Sequence, residues 1–211
     1  TDFSGLFRGK TTFNSDIIDW DVSKGTNFSS MFSNGAGDGS RYDNQMAFNQ
    51  DISSWDGSKG TNFSSMFYNA SSFNQDIGGW DVSSGKYFGA MFQNAEAFNQ
   101  DIGSWDVSSA ENFDSMFRRA TSFNQDIGEW DVSNVETFEW CFTEANSFNQ
   151  DIGEWNVGSS TAFQGMFGGA SDFNQDISSW DVSSGENFMV MFAGDLENVP
   201  SSSFNQDISS W

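Results

Sequence analysis

An α/β repeat solenoid of about eight 25-residue rungs, with short parallel strands on one face and short helices on the other, is the fold class this sequence predicts. Three observations predict it. The string Phe73-Asn-Gln-Asp-Ile-Gly-Gly-Trp80-Asp-Val-Ser83 returns nearly unchanged from Phe98, Phe123, Phe148 and Phe173, always 25 residues on. A fixed period of this size marks a repeat architecture. An anchor Phe followed seven residues later by Trp occurs eight times, from Phe13 with Trp20 to Phe204 with Trp211. Extra residues enter at two places, 33–47 and 193–203, each after a Met-Phe pair, as expected of loops on one side of a solenoid. The second insertion holds the sole proline, Pro200. The chain opens and closes inside a repeat, so residues 1–211 read as a single solenoid domain and as part of a longer array.

Each element of the rung Phe73–Ala97 has its own signal. Ile77, Trp80 and Val82 have the spacing of the first apolar positions of a leucine-rich repeat. The alternation Trp80-Asp81-Val82 predicts a short strand with Trp80 and Val82 inward and Asp81 outward. Ser83 and Ser84 are then candidate helix caps, since a hydroxyl accepts from the first free N–H groups of a helix. Phe88, Met91, Phe92 and Ala95, at spacings of 3, 1 and 3, predict one apolar helical face. Phe-Asn-Gln-Asp brings the chain back. No rung buries both its faces alone, so its side chains need the rungs above and below. The 24 Phe and 9 Trp suit a thin core, because each aromatic ring buries about 150–250 Å².

Three columns recur. Trp80, Trp105, Trp130, Trp155 and Trp180 have the look of a sugar-stacking platform, but their spacing to Ile and Val assigns them to the core. Asn74, Asn99, Asn124, Asn149 and Asn174 form a structural ladder if each is buried and bonds to the backbone of adjacent turns; ligand binding is the other reading. Asp76, Asp101, Asp126, Asp151 and Asp176 follow two residues on. Strands stack about 4.8 Å apart, and unit charges at that spacing repel by roughly 1 kcal/mol in water. Either the carboxylates bond to backbone N–H groups in their turns, or metal ions, Ca²⁺ first among them, bridge the rungs. The glycine-rich nonapeptide of calcium β-rolls is absent. A second acidic column, Asp81, Asp106, Asp131 and Asp181, admits Asn156, which favours a turn or cap hydrogen bond.

Composition bounds the function. A net charge of −22 argues against nucleic acid and against anionic membrane surfaces. It fits a soluble, mutually repelling surface or one that attracts cations. There is no His, no activated nucleophile and no phosphate loop, and the carboxylates lie in columns instead of one unique pair, so no enzyme and no cofactor beyond Ca²⁺ is expected. The single Cys141 stands where other rungs carry Met and reads as a small core residue. Trp140 breaks the pattern and is expected to be partly exposed. Asn27, Asn62 and Asn69 head glycosylation sequons, the first two at predicted helix starts; they matter only in a secreted eukaryotic chain. No membrane-spanning pattern occurs.

Phe-Asn-Gln-Asp-Ile-x-x-Trp-Asp-Val-Ser, followed by Asn-Phe-x-x-Met-Phe-x-x-Ala, resembles the 25-residue repeat of BspA-like surface proteins. That repeat is also abundant in mycoplasma surface lipoproteins, in other bacteria and in some marine unicellular algae. The resemblance covers nearly the whole chain, with departures at Ser15, Gly57, Cys141 and Asn156. It implies a leucine-rich-repeat-like solenoid, an extracellular or cell-surface location, and a role in adhesion or surface structure. The expected function is a non-enzymatic structural or adhesive surface protein, whose partners are further copies of itself or other surface proteins. Open rungs at its ends would stack head to tail into filaments. The alternative is a recognition module that takes Ca²⁺ or an extracellular ligand on its acidic sheet face.

Overall fold

The computed structural model describes residues 1–35, 45–193 and 202–211. Aromatic side chains set its spacing. Within a coil, Phe67 lies face to face on Phe73, Phe92 on Phe98 and Phe117 on Phe123, with ring centroids 3.9, 3.9 and 4.1 Å apart. Each ring then continues a column into the next coil: Phe63 to Phe88 at 5.4 Å, Phe67 to Phe92 at 5.7 Å, Phe73 to Phe98 at 6.1 Å. All of these rings are buried. Trp105 stacks on Trp130, and Trp155 on Trp180, with centroids 6.4 Å apart in both pairs. The indole N–H groups of Trp80, Trp105, Trp130, Trp155 and Trp180 donate to the carbonyls of Ile52, Ile77, Ile102, Ile127 and Ile152 in the preceding coil, at 3.0–3.1 Å. A buried indole thus keeps its polar atom satisfied while its rings fill the core.

The predicted strands and helices do not form. Among the described residues there is no helix and no extended strand, only isolated parallel bridges, for example Asn62 with Tyr87 and Tyr87 with Asn112. The chain is therefore not an α/β solenoid with leucine-rich-repeat layers. Spacing decides the matter: a helix with its side chains is about 10–12 Å across, whereas rings 25 residues apart lie 5.4–6.1 Å apart. A row of helices could not keep step with such columns.

Two turns in series take the helix's place. The N–H of Met91 donates to Phe88 O, and that of Ala95 to Phe92 O, both at 3.0 Å. The 3, 1, 3 spacing of Phe88, Met91, Phe92 and Ala95 is that of two successive turns. Their third residues, Ala90 and Asn94, have φ of 55° and 59°, the left-handed value that a type II turn requires there and that a right-handed helix cannot contain. The N–H groups of Phe88, Ala90, Phe92 and Asn94 cross to the carbonyls of Asn112, Asp114, Met116 and Arg118 at 2.7–3.1 Å. Ser83 and Ser84 consequently cap no helix. The Ser83 N–H and Oγ donate to Asp81 Oδ1 at 3.0 and 2.6 Å, and Ser84 Oγ donates to Ser58 O at 3.0 Å.

Most of each predicted insertion, 36–44 and 194–201 with Pro200, lies outside the described residues. On either side of the first, Asn34 donates to Tyr68 O and Met46 to Asn69 O, so the chain leaves and rejoins the stack beside neighbouring residues.

One coil is thinly filled. Gly57 replaces the valine seen at Val22, Val82 and Val107, and a void remains, lined by Val22, Phe28, Trp55, Phe63, Met66 and Trp80. A Cβ at Gly57 would meet its nearest atoms at 3.7–3.9 Å, ordinary contact. Gly57→Val is expected to stabilise the fold by about 1–2 kcal/mol, through buried methyl groups and a less flexible unfolded chain. A urea midpoint that shifts upward checks this.

Candidate functional site

In a repeat protein the side chains that recur build the scaffold, and those that change from coil to coil are free to do something else. Phe-Asn-Gln-Asp-Ile and Trp-Asp-Val scarcely vary, but the double-turn segment does. The position of Ala90 is Ser65, Ser115, Trp140 or Gly165 in other coils, and that of Gln93 is Tyr68, Arg118, Thr143 or Gly168. These positions share one face, because each coil lies directly on the last.

The centre of that face is charged and aromatic. Arg119 Nε donates to Glu144 Oε1 at 2.9 Å and ties two adjacent coils. Beside it, the Arg118 guanidinium carbon lies 5.6 Å from the Trp140 ring centroid, within cation–π range. Arg118 Nε is buried and has no hydrogen-bond partner. Burial and the Arg119 charge push the Arg118 pKa below its ordinary value, and Glu144 and Asp114 pull it back; the guanidinium remains a cation at neutral pH. Trp140 is half-buried and lies over Gly165 of the next coil, where a Cβ would come within 2.0–2.8 Å of indole ring atoms. Gly165 also has φ of 62°, which glycine adopts without strain.

North of this centre the face carries amides: Asn94 Nδ2 donates to Asn69 Oδ1 at 2.6 Å, and Asn69 Nδ2 to Asn34 O at 2.6 Å. Asn69 is thus 9% exposed with both ends of its amide engaged, and a glycan on its nitrogen has no room in the folded chain. Asn27 and Asn62 sit in parallel bridges instead of at helix starts, and accept from the N–H groups of Ser29 and Ser64.

The asparagine column is half-exposed to exposed, where burial was expected. Its bonding is between coils. The side-chain oxygens of Asn74, Asn99, Asn124 and Asn149 accept the backbone N–H groups of Asn99, Asn124, Asn149 and Asn174, each at 2.9 Å, and Asn174 accepts that of Asn205 at 2.8 Å. Gln100 Nε2 adds a second donor to Asn74, also at 2.9 Å.

The acidic columns are exposed. Asp76, Asp101, Asp126 and Asp151 accept through Oδ1 from the N–H groups of Gly78, Gly103, Gly128 and Gly153, and Asp176 from that of Ser178, all at 3.0 Å. Each carboxylate thus belongs to its own turn. Among the described residues no group of three or more His, Cys, Asp and Glu side chains comes together to hold a metal ion. In the second column the hydroxyls of Ser108, Ser133 and Ser183, followed by their backbone N–H groups, hold Asp106, Asp131 and Asp181 below the usual carboxylate range.

That lowering has a sign. A carboxyl with a depressed folded pKa stabilises the fold above its unfolded value, about 4, and loses that contribution as pH falls through the folded value. The thermal midpoint is therefore expected to be level above about pH 5 and to drop below about pH 4. Melting curves check this, and Ser108→Ala with Ser133→Ala should shrink the drop.

Cys141 is fully buried and its thiol pKa is pushed up by that burial, so it fills core space without thiolate chemistry. Arg118, Arg119, Glu144 and Gly165 were not among the residues that the sequence singled out. The signal was present in the loss of repetition around Trp140.

A family described as "Mycoplasma protein of unknown function, DUF285" matches residues 1–83, 39–130 and 114–211, overlapping stretches that together span the chain. No curated protein and no solved structure matches it. Among the described residues, no helix is long and apolar enough to cross a membrane.

Proposed function

The chain belongs to DUF285, a family of Mycoplasma proteins of unknown function, and from that premise we propose a non-enzymatic extracellular scaffold that contacts its partners through one face of the stack. The observation that carries this reading is the division of labour among side chains. Most of the recurring aromatics are buried, the recurring Asn and Asp side chains bond within or between turns, and non-recurring chemistry gathers on the double-turn face. The resemblance of the repeat to that of BspA-like surface proteins supports a place outside the cell, in adhesion or surface structure. Coil-to-coil bonding among the described residues, from Phe3 with Asn27 to Trp211 with Ile177, supports reading the chain as one unit.

Antibodies against the folded protein test the location. They are expected to label intact cells of the source organism, and brief protease treatment of those cells should remove the label. Labelling that requires permeabilised cells would sink the reading.

A further inference from the structure

We propose that the double-turn face, centred on Arg118 and Trp140, docks an extended, net-basic polypeptide segment that carries one carboxylate between its lysines or arginines. The proposal rests on the scaffold reading and names the partner's chemistry. Arg118 supplies the first half of the argument. It is a cation stacked on an aromatic ring, its Nε is buried without a hydrogen-bond partner, and the neighbouring Glu144 is already bonded to Arg119. A planar guanidinium held in this way suits bidentate bonding to a carboxylate through its outer nitrogens.

The surroundings supply the second half. Asp114 lies close enough to act on the Arg118 charge, Glu139 holds the place of Asp114 in the next coil, and both are half-exposed. From Tyr87 to the end, Arg118 and Arg119 are the only cations against twenty Asp and Glu residues. A field of that sign attracts a basic partner and speeds its approach, and the complement of a cation with acidic side chains beside it is a carboxylate with basic side chains beside it. Other occupants fit less well. Nucleic acids and polyanionic glycans are repelled by a charge of −22, as is a second copy of this chain. A sugar ring needs a bare indole face, and Arg118 and Gly165 lie against that of Trp140.

The test uses two synthetic peptides, Lys-Ser-Glu-Ser-Lys and Lys-Ser-Gln-Ser-Lys, each with a neutral dye, titrated by fluorescence anisotropy at low salt. The wild-type protein is expected to bind the glutamate peptide about 10-fold more tightly than the glutamine peptide, as for a charge-assisted hydrogen bond at a half-buried site. Arg118→Gln should abolish that preference, and Glu139→Gln should weaken both peptides alike. Equal binding of the two peptides to the wild-type protein overturns the proposal, as does no binding of either. So does a preference that survives in Arg118→Gln. The peptide comparison is made on the unaltered protein, so it stands even if a variant folds poorly. Cell-surface labelling is independent of the peptides, so either result can fail while the other holds.

Discussion

Trp130→Ala is expected to destabilise the protein by about 4–8 kcal/mol, much of the 5–15 kcal/mol that holds a typical domain together. Truncating a buried tryptophan costs about 3–5 kcal/mol in lost burial and cavity formation. Here the ring is 4% exposed and packs on Trp105, Phe113 and Phe117. A second cost comes from Ile102, whose carbonyl accepts the Trp130 indole N–H at 3.1 Å and would lose its donor; an unsatisfied buried acceptor costs about 1–3 kcal/mol. Trp130→Phe separates the two effects. It keeps most of the apolar surface and removes the donor, so it should cost about 1–2 kcal/mol. Urea unfolding of both variants checks the difference. A Trp130→Ala cost below that of Trp130→Phe would mean that the column does not bear on stability.

Gly165→Val is expected to cost about 3 kcal/mol. Left-handed backbone at a residue with a side chain costs roughly 1–2 kcal/mol, and Val190, with φ of 56°, shows that the equivalent position tolerates a valine. The larger part arises from Trp140. Its ring occupies the space a Cβ at Gly165 would need, and overpacking of this kind typically adds 1–3 kcal/mol. In a Trp140→Ser background the same Gly165→Val change should therefore cost only about 1–2 kcal/mol, the backbone share. Equal costs in the two backgrounds would show that Trp140 does not rest on Gly165. Because Trp140 also carries Arg118, Gly165→Val should disturb the docking face by displacing the Trp140 ring.

The candidate face was only half legible before the fold was known. Trp140 stood out because it broke a repeat. Its neighbours did not, because Arg118 and Trp140 are 22 positions apart and Trp140 and Gly165 are 25 apart. Nothing short of the coil-to-coil register brings them together. The Asp columns show the converse. Their alignment was evident, but the direction of each carboxylate was not. The structure aims each Oδ1 at the N–H two residues on.

By itself the sequence determined the period, the aromatic columns and most of the core, since a Phe or Trp that returns every 25 residues beside Ile, Val and Met is buried wherever coils cover it on both sides, as Trp80 and Trp105 are, whereas Trp20 near one end of the stack is 41% exposed. Only the tertiary structure decided what the backbone does between those side chains. Apolar residues spaced 3, 1 and 3 serve a helix or a pair of turns equally well. The choice turned on where the N–H groups of Phe88, Ala90, Phe92 and Asn94 find acceptors, and those lie 24 residues away in the next coil. Ring columns that repeat within about 6 Å leave the backbone no room to coil into helices, so it bonds outward to its neighbours instead.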